Sequence, residues 1–135
     1  MTSFVDTNVF IDYLVGHDPE RFNACRDLMR AAEAREVELE TSTMVIAELV
    51  WFLERPPLRL PAAEVHGRIR PLLRLDGLRL PDRDLVATAL EQHVNSSMNF
   101  VDAYNLALMR KRRIARIYTY DTDFDGIPDV ERVYP

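Results

Sequence analysis

Strand-like and helical segments alternate along this chain, and strands separated by helices pair in parallel through right-handed crossovers. Residues 3–8 and 38–41, the alternating Gly77-Leu78-Arg79-Leu80, and residues 114–120 and 130–134 read as strands. The first is followed by a short helix through Val9, Phe10, Ile11, Tyr13 and Leu14 that stops near Gly16. Pro19 suits the first turn of the next helix, where Phe22, Cys25, Leu28, Met29 and Ala32 recur at helical spacing. Ser42 or Thr43 caps a third helix over residues 44–53, ended by Pro56-Pro57. Pro61 opens a fourth with Val65, Ile69 and Leu72, in which Pro71 is expected to kink or end the helix. Asp82 is positioned to cap a fifth with Leu85, Val86, Ala89 and Leu90, and Asn95-Ser96-Ser97 breaks the pattern before a sixth over residues 100–113. The expected fold is α/β, a single domain over residues 1–135 with a central, mainly parallel sheet.

That size suits one core: 135 residues, 47% hydrophobic, bury a substantial interior but are short for two domains. A lone cysteine, Cys25, excludes an internal disulfide framework and fits a reducing compartment. Met1 leads directly into a strand, and no apolar run approaches membrane-spanning length. A cytoplasmic protein without membrane association is expected. The net charge of -5 argues against nucleic acid only as an average, because Arg110-Lys111-Arg112-Arg113 forms a basic run just before the acids Asp121, Asp123, Asp125, Asp129 and Glu131. That run reads either as a solvated helix end or as a phosphate contact.

The chemistry lies in carboxylates. Two strands from opposite ends of the chain run into aspartates, Asp6 and Asp121, and an open parallel sheet binds ligands outside the carboxyl ends of its strands. Glu48 and Asp102 interrupt otherwise apolar helical stretches, and Asp123 adds a fifth acid. Each has a structural reading when taken singly: a turn-forming acid at Asp6 or Asp121, an edge carboxylate at Glu48, a first-turn acid at Asp102. Taken in order, they fit a cluster at one sheet edge. Close carboxylates repel unless a cation compensates them, and hard oxygen ligands suit Mg²⁺ or Mn²⁺. His17, His66 and His93 lie outside these segments and read as exposed or hydrogen-bonded side chains.

Val5-Asp6-Thr7-Asn8, Ile46-Ala47-Glu48-Leu49, Phe100-Val101-Asp102-Ala103 and Tyr118 to Phe124 together resemble the acidic signature blocks of PIN-domain ribonucleases. Length and spacing are most similar to the small toxins of the VapC type, which are partnered by VapB antitoxins. The resemblance implies a three-layer α/β/α fold, a Mg²⁺- or Mn²⁺-dependent endoribonuclease acting through metal-activated water, and a homodimer. By position it makes Asp6, Glu48, Asp102 and Asp121 the catalytic quartet. Asp6, Asp102, Asp121 and Asp123 become metal ligands, with Thr7, Asn8 and Thr119 in supporting roles. The Arg55-Pro56-Pro57 exit from the third helix departs from the commoner pattern.

Alternatives remain open at this level. A PIN nuclease of RNA processing, a metal-dependent phosphatase and a DNA nuclease would use the same carboxylate site. Asp121 to Gly126 also matches the first half of a Ca²⁺-binding helix-loop-helix, but Arg132 stands where that loop needs a bidentate glutamate.

Overall fold

The computed structural model describes all residues, Met1–Pro135. Its elements run β1 (Thr2–Phe4), α1 (Thr7–Val15), α2 (Pro19–Glu33), β2 (Glu38–Glu40), α3 (Thr43–Glu54), α4 (Ala62–Leu73) and β3 (Leu78–Arg79). There follow α5 (Arg83–Asn95), α6 (Phe100–Arg112), β4 (Arg116–Tyr118), a 3-10 turn over Thr122–Phe124 and β5 (Glu131–Val133). All strand pairing is parallel, and helices flank the strands in an α/β/α arrangement. The ladders form two pieces, a three-stranded sheet in the order β1-β2-β3 and a separate β4-β5 pair. No hydrogen-bonded ladder joins β1 to β4.

Local chemistry sets the helix ends. Gly16 closes α1 in the left-handed region, and the Asp18 carboxylate accepts from the amides of Glu20 and Arg21 to start α2. Ser42, not Thr43, caps α3, its hydroxyl accepting from the Val45 amide at 3.2 Å. Pro71 does not end α4 at its own position. It falls in the final turn, where the helix stops two residues later at Leu73 and little intrahelical bonding remains to lose. Asp82 precedes α5 but makes no side-chain cap; its backbone is left-handed at φ 60°, and only its carbonyl accepts, from the Val86 amide.

Val45, Ile46, Leu49, Val50 and Leu53 form the buried stripe of α3, joining Phe10 of α1, Val65, Ile69 and Leu72 of α4, and Leu106 of α6 in one core. Each fully buried aliphatic or aromatic side chain contributes roughly 1.5–3 kcal/mol relative to exposure. Phe124 carries the same core beneath the β4-β5 connection and is 2% exposed. That connection lacks an α-helix, so a 3-10 turn and one buried ring fix the loop that bears Asp121 and Asp123.

Candidate active site

Three carboxylates meet at the start of α6. Asn99 caps this helix by accepting from the Asp102 amide at 2.9 Å, which fixes Asp102 in the first turn. Beyond β4, the Thr119 hydroxyl accepts from the Asp121 amide at 3.1 Å, and the Asp121 carboxylate accepts from the Asp123 amide at 2.8 Å. The buried Phe124 anchors the turn. One carboxylate oxygen from each of Asp102, Asp121 and Asp123 lies within 4.8 Å of the other two.

Burial and the neighbouring acids act together on Asp102. Partial burial raises its pKa above the usual carboxylate value; the charge of Asp121, a hydrogen bond shared with Asp121 and the charge of Asp123 push the same way, while the Asn99 side chain opposes them. A divalent ion fits this donor set. Octahedral coordination at about 2.1 Å places adjacent ligand oxygens about 3 Å apart and opposite ones about 4.2 Å apart, so a small contraction closes the group around a cation. The ion would also supply the charge that keeps all three groups ionised.

Asp6 and Glu48 are not members of that close group. The β1-β2 ladder continues through the Val5 amide to the Glu40 carbonyl, and the buried Thr41 hydroxyl donates to the Val5 carbonyl at 2.9 Å. These bonds fix Asp6, whose carboxylate accepts from the Thr7 amide at 2.8 Å and caps α1. Asp6 shares a shallow hollow with Thr7, Met44, Val45, Ala47, Glu48 and Trp51. Glu48 lies not along the buried stripe of α3 but on the exposed face, four residues from Met44 and three from Trp51. The close group thus comprises Asp102, Asp121 and Asp123 without Asp6 or Glu48, and the strands leading to Asp6 and Asp121 belong to separate ladders. A groove lined by Ala47, Val50, Trp51, Glu54, Asn99, Phe100 and Val101 shares Ala47 and Trp51 with the hollow and includes Asn99, the cap of Asp102.

The supporting residues divide in the same way. Thr7 is buried behind Asp6, Asn8 is exposed, and Thr119 orients Asp121. The basic run lies away from the trio. About 15 Å of helix axis separates Asp102 from Arg112 at 1.5 Å per residue. Arg110 is held by Asp129 through two bonds of 2.8 Å, whereas Lys111, Arg112 and Arg113 are exposed and make no ion pair.

Arg132 clamps Asp125 through bonds of 2.7 and 3.1 Å, which puts a guanidinium where a Ca²⁺ loop needs an oxygen; a strand also replaces that motif's first helix. His93 is a buried structural residue between the Met98 carbonyl and Glu54, both at 2.6 Å. Sequence reasoning missed Asn99, Thr41 and Arg132. An asparagine three residues before a first-turn acid is a readable cap signal at Asn99, whereas Thr41 bonds a residue 36 positions away and Arg132 reaches back across the β4-β5 connection to Asp125.

The PIN domain family model matches residues 3–130. The chain belongs to the PIN-domain family. Among solved structures it is similar to VapC20 of Mycobacterium tuberculosis, described as a sarcin-ricin loop cleaving toxin, at 27% identity over 98% of this chain and 99% of that one, with a TM-score of 0.39. No curated protein matches the sequence. No helix is long and apolar enough to cross a membrane.

Proposed function

We propose that this chain is a divalent-metal-dependent endoribonuclease of the VapC toxin type. The observation that carries the reading is the trio Asp102, Asp121 and Asp123 within a PIN-family chain. Asp102, Asp121 and Asp123 hold Mg²⁺ or Mn²⁺. When bound, the ion neutralises phosphate charge and lowers the pKa of a water. Asp6 and Glu48 complete the acidic site across the α3-α6 groove, with Asp6 as a further ligand, and Thr7, Asn8 and Thr119 support them. Hydrolysis leaves a 5′ phosphate. The free cations Lys111, Arg112 and Arg113 serve more distant phosphates of the RNA, and the protein acts as a cytoplasmic homodimer.

The groove also supports a partner. Trp51 is 59% exposed, with the Arg55 guanidinium 4.1 Å from its ring centre, and Met44 and Val101 extend the apolar surface. An amphipathic helix from a VapB-like antitoxin suits this surface and would cover the passage between the acid groups. Purified protein is expected to cut single-stranded RNA with Mg²⁺ or Mn²⁺ and to stop in EDTA. Undiminished cutting in excess chelator refutes metal dependence, and cutting of DNA alone refutes the substrate class. Induced expression should arrest growth, and the Asp6→Asn form should not.

A further inference from the structure

We propose that Tyr120 and Tyr134 form a ledge on which an unpaired nucleobase of single-stranded RNA stacks beside the acidic trio. This inference rests on the ribonuclease reading. Tyr120 directly precedes Asp121, so the ring and the carboxylate leave neighbouring backbone positions at the end of the β4 connection. The two rings lie 5.7 Å apart between centroids and are tilted by 35°. Tyr120 is 73% and Tyr134 60% exposed, so their contact does not remove the rings from water, and Tyr118 beside them is exposed too. A tyrosine pair serving only to stabilise the loop would bury its faces in the way Phe124 does.

The surrounding charge selects a base over a phosphate. Asp121 and Asp123 follow Tyr120 as uncompensated acids, while Asp125 and Arg132 neutralise each other through a bidentate bond. The same guanidinium lies 4.6 Å from the centre of the Tyr134 ring and holds it in place before any ligand arrives. The unpaired cations Lys111, Arg112 and Arg113 stand at the far end of α6. Binding close to the acids therefore has to come from π faces, which every base offers and which single-stranded RNA presents unstacked.

The test measures fluorescence anisotropy of a labelled twelve-nucleotide single-stranded RNA of mixed sequence, in EDTA so that it is not cut. Tyr120→Leu and Tyr134→Leu are each expected to weaken binding roughly tenfold, within the range for loss of one stacked base, while Tyr120→Phe and Tyr134→Phe retain it. A duplex of the same sequence should be insensitive to all four. With Mg²⁺ the Leu variants should raise KM and leave kcat near wild type. Wild-type affinity in both Leu variants of a protein that cleaves RNA overturns the ledge and leaves the ribonuclease standing. Equal losses in the Phe and Leu variants also overturn it, because hydroxyl contacts and not ring faces would then carry the binding. A wild-type protein that neither binds nor cuts RNA overturns both readings.

Discussion

Asp102 sits where two demands on a carboxylate conflict, since the fold fixes it through Asn99 while partial burial, then Asp121 and Asp123, press it toward its neutral form. With its folded pKa raised, the native state without metal binds more protons than the unfolded chain. The stability contributed by this group is complete below the ordinary carboxylate value and is lost as pH rises through the raised one. Asp125 and Asp129 have the opposite sign, because Arg132 and Arg110 lower their pKa values and their contribution disappears as pH falls. Comparing variants separates the two effects. Asp102→Asn should melt at or above wild type near neutral pH without metal, gain less from Mg²⁺, and lose about 100-fold or more in RNA cleavage. Thermal melts with and without Mg²⁺, followed from pH 4 to 8, check this. A lower melting temperature with an unchanged Mg²⁺ response would make Asp102 an ordinary structural acid.

Elements were legible in the sequence wherever a local signal decides them. The helical stripe of α3, its polar start and the Pro56-Pro57 stop give the element directly, and the structure extends the apolar reading only by a residue or two. Caps are less certain because a side chain must also reach its amide. Ser42 does so; Asp82, in a left-handed backbone, does not. Ser42→Ala is therefore expected to cost about 1 kcal/mol, lowering the melting temperature by about 3–5 °C, whereas Asp82→Asn leaves it within a degree. Equal shifts in the two melts would refute this account of the caps. The acidic residues were legible as candidates for the same local reason, each interrupting an apolar or strand-like segment. Their order along the chain also suggested the group formed by Asp102, Asp121 and Asp123, whereas the placement of Asp6 and Glu48 relative to it depends on which strands share a ladder. Strand periodicity assigns Asp6 and Asp121 to strand ends but does not specify that β1 pairs only with β2 while β4 pairs only with β5. Glu48 shows the same limit, since α3 is apolar on both faces and the sequence does not mark which face looks outward.

Across the whole molecule, charge and apolar surface are segregated in a way that the net charge of -5 conceals. Acids gather after β4, at the end of β1 and at the start of α6, cations at the far end of α6, and an exposed apolar strip through Trp51 adjoins the hollow of Asp6 and Glu48 and extends to Asn99. A bound helix over that strip would separate Asp6 and Glu48 from Asp102 without replacing a single carboxylate. Inhibition by a partner then depends on coverage and needs no competition for the metal. Trp51 is the chain's one tryptophan, so its emission reports this surface alone. Addition of the cognate antitoxin should change that emission, and Trp51→Ala should weaken the complex by at least 2 kcal/mol, about 30-fold, as expected for a central aromatic anchor. Because Trp51 is exposed and carries no carboxylate of the acidic site, the variant should still cut RNA in Mg²⁺ while resisting inhibition. Unchanged emission on saturation with the partner, or full inhibition of Trp51→Ala at wild-type concentrations, would place the contact elsewhere on the molecule.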